Sequence, residues 1–311
     1  MGDDQILCSL CRQPAVWRDR ETGSHLCSLH LKESVENRVA EMICTAGPLP
    51  DRVGVAFSGG KDSTALLAAM TATQDHTGIR LIALTVDEGI GGYREETIRH
   101  AAQVCSILGV EHRIISFPDL FGYSLDEILQ QQESRACTVC GILRRRALEI
   151  LAEEEGIRLL ATGHNQDDHA QTALMNAFSA DLKKVCAGTG PSLRYARRIK
   201  PFARVSEREV TLYAILAGLF TRLPECPYAG GALRNEVRSL LNRFEQQFPG
   251  SMRNAAACEA EIRSRLREKS SGKGLVPCRI CGWPGTGEIC QVCTLLGAGW
   301  ARSGGDRPRD R

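Results

Sequence analysis

The sequence lacks the features that would assign it to a membrane or secretory class of protein. Its 311 residues contain no run of about 18 apolar residues, the length that a transmembrane helix requires. The first residues, Met1-Gly2-Asp3-Asp4, do not follow the basic-then-apolar pattern of a secretory signal. The net charge is only +2, so total charge alone does not indicate nucleic-acid binding. We therefore expect a soluble, cytoplasmic protein.

Cysteine, in contrast, is abundant, with 14 residues. A disulfide framework is not expected, because nothing in the sequence directs secretion. Eight of the cysteines form four C-x-x-C pairs, a spacing that places two thiolates around one metal. These pairs are Cys8/Cys11, Cys137/Cys140, Cys278/Cys281 and Cys290/Cys293.

Two groups of these residues, near the ends of the sequence, have the spacing of structural zinc sites. The first is a Cys₃His pattern within residues 1–31, and the second is a Cys₄ pattern within 277–300. Four ligands leave no open coordination position, so a structural role is expected for both. The ligands are Cys8, Cys11, Cys27 and His30 for the first, and Cys278, Cys281, Cys290 and Cys293 for the second.

Between these modules, short β-branched runs alternate with helical patterns. The runs cover 52–57, 81–86, 112–117 and 159–162. The helical patterns cover 62–74, 93–109, 137–156 and 166–180. Strands that alternate with helices form a parallel sheet with helices on both faces. We therefore predict an α/β fold with a doubly wound parallel sheet over about 50–205.

Helical patterns also flank this core. One covers 32–44, before the first strand. Three amphipathic patterns follow the core, at 206–221, 231–248 and 251–268, and predict a small helical region over 206–270. Residues 301–311, rich in Gly, Arg, Asp and Pro, predict a disordered tail.

The first strand leads into a loop suited to binding phosphate, Ser58-Gly59-Gly60-Lys61-Asp62-Ser63. Its glycines allow close approach of the backbone to an anion, and the free N–H groups of the following helix point towards it. The P-loop spacing G-x-x-x-x-G-K-[ST] does not fit, because Val55 occupies the first glycine position. The loop instead resembles the S-G-G-x-D-S motif of the ATP pyrophosphatases, the PP-loop superfamily.

That resemblance implies that ATP is split to AMP and pyrophosphate. It also implies that the nucleotide lies across the carboxyl ends of the strands, in agreement with the general rule for open α/β sheets. Ala56, Val86 and Gly163 would then hold the base and ribose through backbone groups.

Carboxylates follow two of the predicted strands. Asp87 and Glu88 come after the second, and Asp167 and Asp168 after the fourth. Such residues suit Mg²⁺ or the polarisation of a reacting group. Helix capping is the alternative for Asp167, whereas catalysis is favoured for Asp168.

Seven cysteines lie outside the two terminal groups. Three of them, Cys137, Cys140 and Cys226, are further candidate ligands, and no obvious fourth ligand lies near them. Three thiolates suit a [4Fe–4S] cluster whose remaining iron is open to an exogenous ligand such as sulfide. For Cys226 alone, a buried free cysteine is the usual interpretation.

Together, these motifs resemble the tRNA 2-thiouridine synthetases of the TtuA/NcsA group. The similarity extends over nearly the whole sequence and includes Cys137-Thr138-Val139-Cys140, the 163–168 turn and Glu225-Cys226-Pro227-Tyr228. It implies a tRNA uridine 2-sulfurtransferase that uses ATP, Mg²⁺, a [4Fe–4S] cluster and two Zn²⁺. The sulfur donor would be a ubiquitin-like protein thiocarboxylate or free sulfide, and a homodimer is expected.

Transferred by position, Cys137, Cys140 and Cys226 would hold the cluster, and Asp168 would be the catalytic aspartate. Arg144 occupies a position where some members carry a catalytic lysine. Arginine does not readily deprotonate, so we assign Arg144 to charge stabilisation of phosphate or adenylate.

Positive charge is concentrated in one segment, over 183–204, which contains no acidic residue. A solvated loop would usually mix charges, so contact with the phosphates of tRNA is the favoured interpretation and a solvated loop is the alternative. The candidate tRNA-binding residues are Lys183, Lys184, Arg194, Arg197, Arg198 and Lys200.

Three rival functions remain possible at this point. A cytidine thiolase would normally lack the terminal zinc modules. Another ATP pyrophosphatase would not need the three cluster cysteines. A non-catalytic zinc-ribbon RNA-binding protein would not need the phosphate loop.

Overall fold

The computed structural model describes residues 5–20, 22–130, 136–179, 195–229, 233–269, 275–297 and 300. Its centre is a five-stranded sheet in which every pair of neighbouring strands is parallel. The strands are β3 (Arg52–Ala56), β4 (Arg80–Asp87), β5 (Glu111–Ser116), β6 (Leu159–Ala161) and β7 (Arg197–Ile199), after two short N-terminal strands, β1 (Trp17–Arg18) and β2 (His25–Leu26). The predicted parallel α/β class is confirmed.

The strand order is β5-β4-β3-β6-β7. The chain therefore runs outward from β3 to one edge and then returns to the other side of β3. In such a sheet, the point where the order reverses leaves a crevice outside the carboxyl ends of the two strands concerned. Here these strands are β3 and β6, which precede the phosphate loop and the 163–168 turn.

The first eight helices alternate, singly or in groups of two or three, with the strands along the chain. They are α1 (Ser28–Cys44), α2 (Lys61–Ala72), α3 (Gln74–Thr77), α4 (Arg94–Leu108), α5 (Phe117–Phe121), α6 (Leu125–Leu129), α7 (Ala136–Glu154) and α8 (Gln166–Ser179). After β7 come α9 (Glu207–Leu216), α10 (Leu233–Gln247), α11 (Ser251–Lys269) and α12 (Gln291–Leu296). A small pair, β8 (Val276–Pro277) and β9 (Pro284–Gly285), lies between α11 and α12.

Alternate residues of the strands point into two separate hydrophobic cores. Val53 and Val55 of β3 belong to the first core, with α1, α2, α4 and α9. Ile82 and Leu84 of β4 belong to the second, with α5, α6, α7 and α12. We call these face A and face B of the sheet.

Two parts of the fold were not expected from the sequence. Strand β7 lies inside the stretch interpreted as a basic loop, where two of its three residues are arginines. Helices α5 and α6 lie in a connection to which no element was assigned. Helix α6 begins with a reciprocal capping pair between Ser124 and Glu127, which is a recognisable start signal.

No helix in the part of the chain that the structure describes is both long and apolar enough to cross a membrane.

Candidate active site

The phosphate loop is folded around its two serines. The Ser58 hydroxyl lies 3.1 Å from that of Ser63, which also accepts from the backbone N–H of Ser58 at 3.3 Å. Gly59 has φ +80°, and a Cβ atom there would overlap the carbonyl oxygen of Thr97. Only glycine fits this position. Helix α2 begins at Lys61, within the loop, so its first N–H groups face the crevice.

Lys61 connects this loop to the start of α9. Its ammonium nitrogen lies 2.8 Å from an oxygen of Asp62 and 3.3 Å from one of Glu207. Burial raises the pKa of Asp62 above its ordinary value, although Lys61 opposes the shift. The loop and the start of α9 thus combine a free helix start, one cation and two carboxylates, a set that can hold a metal–phosphate group.

The turn after β6 lies against this loop. A Cβ atom on Gly163 would be only 3.2 Å from the carbonyl oxygen of Asp62. Asn165 and Asp168 cap the start of α8 reciprocally: the Asn165 N–H donates to Asp168 Oδ2 at 3.1 Å, and the Asp168 N–H donates to Asn165 Oδ1 at 3.0 Å. Asp168 therefore forms the capping bond that the sequence suggested for Asp167.

The second oxygen of Asp168 is directed elsewhere. Oδ1 lies 3.7 Å from a guanidinium nitrogen of Arg234, and 22 % of the side chain is exposed. Capping therefore occupies one oxygen of this carboxylate and leaves the other at the crevice.

Asp167 is buried and has a different partner. Its Oδ2 accepts from the backbone N–H of Glu207 at 2.8 Å, at the start of α9. Burial raises the pKa of Asp167 to about 6, and the neighbouring Glu207 and Asp168 carboxylates add to the shift, against the hydrogen bond from Glu207. Asp167 joins two helix starts that border the site.

At the end of β4, a buried arginine connects the strand to the phosphate loop. Arg94 donates to the carbonyl of Val86 at 2.6 Å and to that of Ser58 at 3.3 Å. Its Nε lies 2.8 Å from buried Glu88. Glu88 also lies 3.7 Å from the guanidinium of Arg144 on α7. Arg94 was not predicted as a site residue, because its position near a helix start gives no signal of burial.

The three candidate cluster cysteines lie around the start of α7. Cys137 is exposed, whereas Cys140 and Cys226 are partly buried and pack against the core of face B. The Cys137 thiol lies 3.5 Å from the carbonyl oxygen of Tyr228. The Tyr228 hydroxyl donates to Asp126 of α6 at 2.8 Å. The fold thus places the 226–228 segment beside α7, although 86 residues separate Cys140 from Cys226 in the sequence.

These three thiols differ from the terminal groups in their spacing. In the described part of the chain, the groups whose ligand atoms all lie within 4.8 Å of one another are Cys8/Cys11/Cys27/His30 and Cys278/Cys281/Cys290/Cys293. Such compact sets fit a single ion. Thiolates that bind separate irons of a cluster lie farther apart, so a wider spacing around α7 is compatible with a cluster. Burial raises the pKa of Cys140 to about 11, and Arg144 opposes this shift.

Only part of the basic segment lies within the described residues. Lys183, Lys184 and Arg194 lie outside them. Arg197 and Arg198 are on β7, where Arg198 lies 2.6 Å from Glu149 of α7 and Arg197 donates to the Pro48 carbonyl. Lys200 follows β7 and is partly buried, and this burial lowers its pKa. Arg197 and Arg198 therefore each have a partner within the protein, and their contact with tRNA phosphates stays a prediction.

Comparison with known proteins gives consistent matches. Residues 31–242 match the family described as the PP-loop domain. The chain is similar to tRNA 2-thiolation protein NcsA of Haloferax volcanii, at 34 % identity over 93 % of this chain and 98 % of that protein. It is also similar to tRNA-5-methyluridine(54) 2-sulfurtransferase of Pyrococcus horikoshii, at 31 % identity over 93 % of both chains.

A solved structure matches over nearly the whole fold. It is the U34-tRNA thiolase NcsA from Methanococcus maripaludis with its [4Fe-4S] cluster, with a TM-score of 0.82 and 31 % identity. The match covers 94 % of this chain and 96 % of that one.

Proposed function

The chain belongs to the tRNA 2-thiolation proteins of the PP-loop family, and we propose that it is a tRNA uridine 2-sulfurtransferase. It would use ATP to activate the C2 oxygen of a uridine and would replace that oxygen with sulfur. The relatives reported above, named for tRNA 2-thiolation and for a [4Fe-4S] cluster, support this proposal.

One observation carries the proposal: a continuous set of contacts joins the phosphate loop to the cysteine helix. Ser58 contacts Arg94, Arg94 contacts Glu88, and Glu88 contacts Arg144, one turn after Cys140 on α7. An ATP site and a thiol site that share these contacts can act on one substrate atom in sequence.

The proposed reaction has two steps, adenylation of the uridine and then its thiolation. The uridine C2 oxygen attacks the α-phosphorus of ATP, pyrophosphate leaves, and the N3 proton must be removed. Hydrosulfide then adds at C2, the C2–oxygen bond breaks, AMP leaves with that oxygen, and the proton on sulfur moves to N3. When bound, a [4Fe–4S] cluster would supply an open iron position for the incoming sulfide.

The chain's own residues would support these steps as follows. The α2 N-terminus and Lys61 would bind the pyrophosphate, and Asp62 would hold Mg²⁺. The Oδ1 of Asp168, which does not take part in capping and lies 3.7 Å from Arg234, would take the N3 proton. Arg144 stabilises negative charge on the adenylate. The backbone at Ala56, Val86 and Gly163 contacts the base and ribose, with the Val86 carbonyl already bonded to Arg94. Cys137, Cys140 and Cys226 hold the cluster.

The terminal groups would each bind a structural Zn²⁺. Their four ligand atoms lie close enough together for one tetrahedral ion. The tRNA would lie along the segment 183–200, so that a uridine turned out of its stack reaches the crevice. A homodimer and a sulfur donor (a protein thiocarboxylate or free sulfide) complete the proposal.

Anaerobic purification followed by single-turnover assay tests this function. The protein should be brown, should form AMP and pyrophosphate only when tRNA is present, and should yield 2-thiouridine in digested tRNA when sulfide is added. AMP formation without any thiolated nucleoside would overturn the assignment.

A matched pair of cysteine variants tests the cluster ligands. Cys226→Ala should remove the cluster absorption and the activity, whereas ATP binding should survive because the phosphate loop is a separate site. Cys258→Ala removes an exposed cysteine of α11 and should behave as wild type. Normal turnover in Cys226→Ala would exclude it as a ligand.

A further inference from the structure

The C-terminal Cys₄ group does not stand apart from the active site but packs on the helix that carries Cys137 and Cys140. Cys278, Cys290 and Cys293 are buried in the same core as Val139, Leu143 and Ala147 of α7. Beside them, the Tyr195 hydroxyl donates to the Pro284 carbonyl at 2.8 Å. The module is thus part of face B.

One buried side chain of α7 reaches into this module. Arg146 is only 8 % exposed, and its Nη1 donates towards the Cys281 sulfur at 3.8 Å. Its guanidinium also lies over the Trp283 ring, 4.5 Å from the centroid. The Trp283 indole N–H donates to the Tyr195 hydroxyl at 3.1 Å. The arginine is therefore held in one orientation by a sulfur on one side and a ring on the other.

Charge explains why an arginine is buried there. One Zn²⁺ with four thiolates retains two negative charges, and three of these four cysteines are buried. A buried anion needs a hydrogen-bonded counter-charge. Arg146 supplies the positive charge and the hydrogen-bond donor, since its planar guanidinium can donate to sulfur and stack on an aromatic ring at the same time.

We propose that Arg146 is a positioning residue that transmits metal loading of the C-terminal Cys₄ module to helix α7. It lies on the same helix as Cys140 and Arg144, less than two turns away. With metal bound, the arginine is attracted to the thiolates and fixes the helix. With metal lost, the module relaxes and the start of the helix loses this support. Any effect of Arg146 on the cluster rests on the proposed function, whereas its effect on helix α7 does not.

Arg146→Met tests this inference, because methionine keeps most of the side-chain volume and removes the charge and the donors. Zinc release to a chromophoric chelator should become about 10- to 100-fold faster for one of the two zinc ions, the range expected for an outer-shell partner of a metal ligand. Cys290→Ser identifies that kinetic phase. Amide hydrogen exchange of the 136–154 peptides should accelerate in parallel, and the absorption of the reconstituted cluster should fall.

Neighbouring arginines provide the controls. Arg145→Met changes the preceding residue of α7, whose side chain donates to the Gly141 carbonyl of its own helix at 2.9 Å, and should leave zinc release unchanged. Arg279→Met removes an exposed ion pair of the module itself and should also have no effect. Arg146→Lys keeps the charge without the planar donors and should give an intermediate rate of zinc release. This variant tests the proposal if Arg146→Met does not fold.

Two results would overturn the proposal. One is unchanged zinc release in Arg146→Met. The other is faster release with wild-type exchange in helix α7, because metal would then be stabilised without any effect on the helix. A wild-type protein that binds no iron would refute the proposed function instead, and zinc release and exchange would still decide the role of Arg146.

Discussion

The two terminal Cys groups have similar ligand spacing but are attached to opposite faces of one sheet. In the N-terminal group, Cys27 immediately precedes α1, and the buried side of α1 packs on face A with α2, the helix of the phosphate loop. The C-terminal group packs on face B against α7. Each half of the site, the nucleotide loop and the cysteine helix, is therefore supported by a different module.

The modules also differ in how closely they are joined to the active-site helices. The candidate N-terminal ligands contact one another. The polar contacts of α1 with its neighbours lie farther along the helix, as at Arg38, which donates to Glu209 at 2.6 Å. In the C-terminal module, a ligand sulfur itself accepts from α7. Loss of metal should therefore act locally at one end of the molecule and more directly on the site at the other.

The largest effect on thiolation should come from variants that inactivate one half of the site and leave the other intact. Lys61→Ala should lower thiolation by about 100-fold or more through loss of charge stabilisation, with cluster absorption retained. Cys137→Ala should abolish thiolation and the cluster, with ATP binding retained. Isothermal titration with ATP and anaerobic spectroscopy on both variants check this division. Loss of the cluster in Lys61→Ala would show that the halves are not separate.

The next comparison removes one ligand from each module. Cys27→Ser and Cys278→Ser should each lose one equivalent of zinc and lower the free energy of unfolding by several kcal/mol, because structural zinc contributes folding free energy directly. Hydrogen exchange should accelerate in α1 and α2 for the first variant and in α7 for the second. Identical exchange patterns would mean that the modules support no particular face.

A pH effect should originate near face A, at Asp167. Its pKa is raised to about 6, mainly by burial, so between about pH 4 and 6 the folded chain keeps a proton that the unfolded chain releases. Stability should then fall as pH rises through this window, by about 3 kcal/mol in total, and stay level above it. Asp167→Asn keeps an acceptor for the Glu207 N–H and should flatten this slope.

Thermal unfolding between pH 4.5 and 7.5 measures that slope. Asp75→Asn, which changes an exposed carboxylate on α3, serves as the control and should retain the wild-type dependence. An unchanged slope in Asp167→Asn would assign the pH dependence to other groups.

The smallest effect concerns the attachment of α1. Arg38→Met removes its contacts with Glu209 and with the Arg204 carbonyl, and should lower the free energy of unfolding by about 1 kcal/mol. Zinc content and release should not change, in contrast to Arg146→Met. Chemical denaturation and the chelator assay compare the two arginines, and faster zinc release in Arg38→Met would remove the asymmetry between the modules.

Much of the fold was predictable because burial leaves a clear pattern in the sequence. The β3 and β4 runs are nearly continuous and apolar, as expected for strands covered on both faces. Strand β7 escaped prediction because it is a short edge strand, and edge strands commonly carry charges. The Asn165–Asp168 cap was visible as an Asn followed three residues later by an acid, but the functional interpretation of Asp168 obscured it.

The candidate site was predictable to a different degree in its separate parts. The phosphate loop follows from local chemistry, whereas the grouping of Cys226 with Cys137 depended on resemblance and required the fold. In the run Arg144-Arg145-Arg146 the composition gives no distinction among the three. Helical spacing does, since Val139, Leu143 and Arg146 share the face of α7 that is buried.

The placement of the modules along the chain has a consequence for biosynthesis. Residues 8–30 are made before any strand of the large sheet, whereas residues 278–293 are made after all of them. Because domains fold from the amino end during synthesis, the N-terminal thiols can acquire metal while the sheet is still incomplete. The outer side of α7 stays uncovered until the ribosome has passed residue 293. Folding of the Cys₄ module therefore also completes the packing around α7, the helix that carries the cysteine half of the site.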